Sequence, residues 1–195
     1  MTVRVARLTG AEIGAALDHL ADLRIRVFAE YPYLYDGNKS YEANYIREYA
    51  EAEGAVLVAA FNGSAIVGAA TAAPIAHQKA ELRAPFAQRG LDVSRLVYFG
   101  ESVLLGAWRG QGLGHAFFDH REAHARELGA NAACFAAVVR PDDHPARPPD
   151  YRPLDDFWRK RGYAPIPGLV TALAWQEHGE TGESDKPMQY WLRQW

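Results

Sequence analysis

The sequence predicts a single α/β unit over residues 1–195, with a mixed sheet flanked by helices. Three observations lead there. Alternating segments and helically periodic segments interleave in the order β α α β β α β α β α β β. The run Ala55–Phe61, Asn62-Gly63, Ser64–Ala73 reads as a strand–turn–strand hairpin with a strong turn dipeptide. A long apolar strand, Leu96–Leu105, stops at a glycine-rich turn, and an amphipathic helix begins at once.

Bulk properties agree. At 195 residues, one domain can bury roughly 70% of its unfolded surface. An apolar fraction of 49% with 23% charged residues is that of an ordinary globular protein. The formal net charge is −3 and there is no long basic run, so nothing points to a nucleic-acid partner. An anion must be held locally, by a few arginines and backbone dipoles. One cysteine, Cys134, excludes an internal disulfide framework and a multi-cysteine zinc site. In its apolar run it reads as a buried, inert thiol. The first residues lack the apolar core of a signal peptide. No apolar stretch approaches the roughly 18–20 residues that span a bilayer, so the expectation is a cytoplasmic chain with no membrane partner.

In chain order, Val3–Leu8 alternates as a strand, and Thr9 with Glu12 three residues on is a helix start. That helix runs to about Ala29 and stops near Pro32. A tyrosine-dense segment follows: Tyr31, Tyr33, Tyr35, Tyr41, Tyr45 and Tyr49, helical from Tyr41 to about Glu51. After the hairpin, residues 75–92 hold a short helix near Glu81–Arg89 that ends at Gly90. Beyond Leu105 come a helix Gly112–Leu128 capped by Gly129, and a strand Ala132–Val139. The loop Arg140–Pro153 carries five prolines, which makes it stiff and irregular. A helix from about Leu154 to Arg161 ends at Gly162, and strands Leu169–Gln176 and Met188–Trp195 close the chain around a polar loop, His178–Lys186. The aromatic C-terminus, Tyr190 to Trp195, is expected on an edge or homodimer strand.

The chemistry starts at Arg109-Gly110-Gln111-Gly112-Leu113-Gly114-His115. Three glycines in five residues let the backbone approach a ligand, and unpaired N–H groups at the positive end of a helix dipole suit a phosphate. Arg109 adds a planar, permanent cation. A dinucleotide fingerprint needs G-x-G-x-x-G, yet the spacing is G-x-G-x-G with His115 in the third glycine's place, and no acidic residue appears at the following strand end. A P-loop needs Gly-Lys-Ser/Thr, which is missing here. A ligand-free glycine corner is the remaining bland alternative.

Arg109-x-x-Gly112-x-Gly114, after a long strand and opening a helix, resembles the pyrophosphate-binding motif of the GNAT acyltransferase superfamily, which uses acetyl-CoA. Phe157-Trp158-Arg159-Lys160-Arg161-Gly162-Tyr163 is similar to that family's late helix. The resemblance covers essentially the whole chain, with surplus residues in the tyrosine segment, 75–92 and 140–153. It implies a GNAT-like fold: a central, twisted, mostly antiparallel sheet with a parallel splayed pair at the CoA site. It implies acetyl transfer to a primary amine by direct attack in a ternary complex. Backbone groups of Val103, Leu104 and Leu105 would pair with the pantetheine arm. Arg109, Gly110, Gln111, Gly112, Leu113, Gly114 and His115 would hold the pyrophosphate, and a backbone N–H near Leu104 would face the carbonyl oxygen.

Glu101, the one carboxylate in Leu96–Leu105, is the candidate base. Between Phe99 and Val103 it should be partly desolvated, which raises a carboxyl pKa; the alternative is an ion-paired or water-exposed structural glutamate. The family's acidic tyrosine is replaced by Trp158, whose indole cannot protonate a thiolate. Trp158 is expected against the cofactor arm or the core. Tyr151 is the candidate acid; Tyr163, an early tyrosine, or departure of the free thiolate (pKa about 8.5) are the alternatives. Tyr33, Tyr35 and His144 are candidate acceptor contacts, and Asp36 and Glu42 could attract a cationic amine. His120 and His124 lack the zincin spacing and a third ligand, so no metal is expected. The acceptor reading is a small-molecule amine. A protein or peptide amine and a non-catalytic acyl-CoA sensor are the alternatives.

Overall fold

The computed structural model describes residues 3–8 and 10–195; the predicted cap Thr9 lies outside them. Strands β1 (Arg4–Leu8), β2 (Val56–Asn62), β3 (Ala65–Pro74), β4 (Leu96–Leu104), β5 (Ala132–Val138), β6 (Ala164–Trp175) and β7 (Ser184–Gln194) form one sheet. Its order is β1-β2-β3-β4-β5-β7-β6. Neighbours are antiparallel except β4 and β5, which run parallel. Helices are α1 (Gly10–Phe28), α2 (Lys39–Glu51), α3 (Ala80–Gln88), α4 (Leu113–Glu127) and α5 (Asp155–Lys160).

Two layers of helix cover the sheet. On α1, Ile13, Leu20 and Leu23 meet Leu57, Ala59, Ala69 and Val103 of the sheet, with Ile46 of α2 in the same cluster. On α4, Leu113, Phe117, Phe118 and Ala125 recur at helical spacing and meet the opposite face through Val58, Ala70, Phe99 and Phe135. Further along the sheet, Leu82 and Phe86 of α3 cover Tyr98, Cys134 and Tyr190. Cys134 is fully buried there, and burial pushes its thiol well up. No helix among the described residues is long and apolar enough to cross a membrane.

The final hairpin departs from expectation. Strand β6 begins at Ala164 rather than Leu169, with an irregularity between Pro165 and Val170. Strand β7 begins at Ser184, so the last third of the polar loop is paired backbone. The reason is that ladder hydrogen bonds need no apolar side chains, and the outer part of this hairpin buries only alternate residues of β7, Lys186 and Met188. Nor is the aromatic C-terminus an edge: β7 lies between β5 and β6, with Tyr190 and Trp191 both buried on opposite faces. The edges are β1 and β6.

Two features of β4 build the site. It pairs with β5 only through Leu96, Val97 and Tyr98, against Ala132, Ala133 and Cys134. Past those pairs the two strands run on without partnering each other, which leaves a wedge-shaped gap. Opposite β3, Ala72 faces Phe99 but Ala70 faces Ser102, so β4 holds an extra residue there. Such a bulge reverses which face the following side chains take. Phe99 packs in the α4-side cluster and Val103 in the α1-side cluster. Simple alternation would have put them together, with Glu101 between. The bulge needs Gly100, since a Cβ there would sit 2.4 Å from Thr71 Oγ1.

Candidate active site

The glycine turn follows β4 through a short 3-10 turn, Gly106–Trp108. Gly110 and Gly112 adopt positive φ, 74° and 81°, and a Cβ added to either would meet nothing within 4 Å. Left-handed backbone favours glycine at both, and the space in front of them is open. Among the described residues, the backbone N–H groups from Gly110 to His115 have no partner; the first bond into α4 runs from Ala116 N–H to Gly112 O at 3.2 Å. The turn therefore offers a row of free donors on a helix N-terminus, a cradle for an anion. His115 is exposed, its ring against Phe157. Gln111 donates to Ala107 O.

Arg109 faces elsewhere. Its Nε donates to Leu104 O at 3.0 Å, and its Nη1 lies 2.7 Å from Glu30 Oε2 at the end of α1. Leu105 N–H donates to Val67 O at 3.0 Å. By strand alternation Val103 then also aims its backbone at β3, because that edge of β4 is already in the sheet. Of the three expected pantetheine contacts, only Leu104 faces the gap.

Glu101 lies on the bulge, nearly buried, and turns toward α1 and α2. Its Oε1 is 2.5 Å from Nη1 of Arg24 and its Oε2 accepts from Tyr45 Oη at 3.2 Å. Its own N–H donates to Thr71 Oγ1 at 3.3 Å. From the other side, Arg121 donates Nη1 to the carbonyls of both Thr71 and Glu101, each at 3.3 Å, and so pins the bulge. Burial pulls this guanidinium down to about 10, with Tyr163, Tyr49 and Glu101 opposing. Arg24 also pairs with buried Glu42. Burial works against the Arg24 charge, but Glu101, Tyr45 and Glu42 outweigh it and the net displacement is upward. One guanidinium is thus shared by two carboxylates, with the Arg121 guanidinium beside them on main-chain carbonyls. Neither Arg24 nor Glu42 was singled out as its partner from sequence. The signal was present: Arg24 follows Ile13, Leu17 and Leu20 on the buried stripe of α1, and Glu42 precedes Ile46 and Tyr49 on that of α2. A charge on an apolar stripe needs a partner.

The tyrosine segment forms a tight turn with a cis Tyr31-Pro32 bond. Arg140 and Trp175 hold it through the carbonyl of Tyr33, and Tyr35 bridges to Glu177. Tyr33 packs on Phe28 and Trp175, and burial first, then Tyr151 and Glu101, push its phenol up to about 12. Tyr33 is therefore within electrostatic reach of Tyr151, Glu101 and Arg24. Tyr151 stands edge-on to Tyr31, with His144 on the same ring. Burial raises the Tyr151 phenol, with Tyr31 next. Tyr35 lies near Glu42, and burial first, then that carboxylate, raise its phenol. Trp158 packs between Phe135 and Trp191 on the core side. Tyr163 is buried and donates to Glu122, so it cannot serve as the acid. Among the described residues no three His, Cys, Asp or Glu side chains gather as a metal site; His124 bonds Gly54 O instead.

The acetyltransferase (GNAT) family matches residues 24–163, which span the gap, the turn and the Glu101 cluster. The chain belongs to this family. Solved structures share its fold. An aminoglycoside 6'-N-acetyltransferase complexed with coenzyme A superposes with a TM-score of 0.63 at 14% identity, over 98% of this chain and 96% of that one. An acetyltransferase of the family from Streptococcus pneumoniae gives 0.60 at 13%, over 100% of both chains. The PaiA N-acetyltransferase of Thermoplasma acidophilum, in complex with coenzyme A, gives 0.52 at 11%, also over 100% of both. A search of curated proteins finds no match.

Proposed function

We propose that the chain is an N-acetyltransferase that moves the acetyl group of acetyl-CoA to a primary amine of a small molecule. The observation that carries this reading is on β4. One strand leads from the Glu101 carboxylate at its bulge to a row of free N–H donors beyond its end, along the gap where β5 leaves it. Family membership and the coenzyme A bound to two of the structural neighbours support the donor.

In this reading the N–H groups from Gly110 to His115 hold the pyrophosphate. Leu104 N–H donates to the thioester carbonyl oxygen as charge develops on it. Arg109 gives up Leu104 O and Glu30 for a phosphate oxygen, which frees that carbonyl for the pantetheine amide. Glu101 holds the acceptor as its ammonium. The nitrogen loses one proton to water and attacks as the free amine; its second proton becomes strongly acidic as the bond to carbon forms, and Glu101 takes that proton. Tyr151, kept protonated, supplies the proton to the leaving sulfur. The stiff 140–153 loop and the 31–36 turn wall the acceptor side, which favours a small amine over a protein chain.

Thiol release from acetyl-CoA across polyamines, amino acids, aminoglycosides and peptide N-termini tests the reading. Turnover with a small amine is the expected result, with Arg109→Ala weakening coenzyme A by about 1–3 kcal/mol in calorimetry. Tight binding of acetyl-CoA without turnover on any amine would make the chain a sensor. An unchanged dissociation constant for Arg109→Ala would remove that residue from the pyrophosphate site.

A further inference from the structure

Arg24 is the charged group that this chemistry leaves unused. It occupies a position where an apolar side chain would pack, beneath Tyr45 and Phe28, whose rings lie 4.4 and 5.0 Å from its guanidinium carbon. A cation is stable there only if paired, and it has two partners. Glu42 on α2 holds one side and Glu101 the other. The contacts run Glu42–Arg24–Glu101, from α2 through α1 to the bulge on β4.

We propose that Arg24 is a positioning residue for Glu101: it fixes the carboxylate toward the acceptor and keeps it charged, while Glu42 limits that hold by competing for the same guanidinium. This rests on the reading of Glu101 as the group that meets the amine. The groups facing Glu101 are Arg24 from α1, Tyr45 and Tyr49 from α2, Tyr33 from the 31–36 turn, and Arg121 from α4. The tyrosines are held neutral by burial, and the Glu101 charge adds to it. Arg121 hydrogen-bonds the main chain of Glu101, not its carboxylate. Among the described residues Arg24 is thus the cation paired with this carboxylate, and Glu42 is the anion on the far side of that cation. Removing one or the other should move Glu101 in opposite directions, which a merely structural role would not do.

The test follows the Glu101 carboxyl by carbon-13 NMR in the full chain, its signal assigned with Glu101→Gln. An opposite charge at this distance is worth about 1–3 pH units of carboxylate titration. Arg24→Met should therefore raise the midpoint by about one pH unit or more, Glu42→Gln should lower it, and Arg24→Lys should restore it toward wild type. In parallel, the acid limb of kcat/KM should move the same way, with KM for acetyl-CoA unchanged. Midpoints that stay put, or shift in the same direction for Arg24→Met and Glu42→Gln, overturn the proposal. Should Arg24→Met not fold, an unmoved midpoint in Glu42→Gln overturns it alone. Opposite shifts without acetylation of any amine support the positioning role and sink the transferase reading. Acetylation with unmoved midpoints does the reverse.

Discussion

Two buried carboxylates, Glu101 on β4 and Glu122 on α4, have the same kinds of neighbours and different accounts of charge. Glu122 accepts from Tyr163 Oη at 3.3 Å and pairs with Arg161 at 3.0 Å and Arg193 at 2.9 Å. Two guanidiniums converge on one carboxylate, and Arg161 also pairs with Asp119 at 2.7 Å. That cluster ties α4 to the end of α5 and to β7, where the core is closed. Glu101 also has an arginine and a tyrosine, but its arginine is shared with Glu42, and it stands on a bulge where two strands part. An arginine and a tyrosine beside a glutamate therefore do not by themselves distinguish the proposed base from a structural carboxylate. The backbone separates the two: it opens at Glu101, where β4 and β5 part, and is closed at Glu122.

The same contrast can be broken by experiment. Glu101→Gln should lower kcat for amine acetylation by about 10²–10⁴ with little change in melting temperature, because Arg24 keeps Glu42. Glu122→Gln should do the opposite: two guanidiniums lose their carboxylate, at a cost of about 3–5 kcal/mol in denaturant unfolding, with kcat per folded molecule near wild type. If Glu122→Gln abolishes turnover in a folded chain while Glu101→Gln does not, the assignment is reversed. Gly100→Ala comes next. Its Cβ would collide with Thr71 Oγ1, so the bulge must shift, at about 1–3 kcal/mol; kcat should fall while the dissociation constant of coenzyme A holds. Unchanged kcat would mean that the bulge does not set the position of Glu101.

The smallest effect lies far from the site, in the β6–β7 turn. Glu180 accepts from the backbone N–H of Glu177, from Lys186 and from Ser184, and these hold its carboxyl down to about 2 from 4.5. Its folded value is below its unfolded one, so its contribution is complete above 4.5 and disappears as pH falls toward 2. Amide protection in residues 176–187, taken relative to the intrinsic exchange rate at each pH, should fall across that window. Protection that stays flat would show that these bonds do not order the turn.

Much of this was legible before folding. The strand that stops at Leu104, the turn with Gly110 and Gly112 at positive φ, and the helix after it follow from periodicity and from the conformations that only glycine takes readily. Glu101 was legible as the carboxylate of that strand, but its surroundings were not. Sequence alternation placed it between Phe99 and Val103, whereas a bulge set by pairing with β3 turned it toward α1. Arg109 was read as the clamp on pyrophosphate; here it reaches back to Leu104 and Glu30. The strand at Tyr190 was read as an edge because nothing local says which strand inserts beside it.

Residues close in the chain set the order of elements and the glycine turn with its free N–H donors, because both depend on local φ values and side-chain spacing. The tertiary structure alone decided that β7 enters between β5 and β6, that β4 and β5 part after Tyr98, and that Arg24, Glu42 and Glu101 share one charge cluster. Those outcomes rest on pairings between distant segments, where a single extra residue in one strand exchanges the two faces of a sheet.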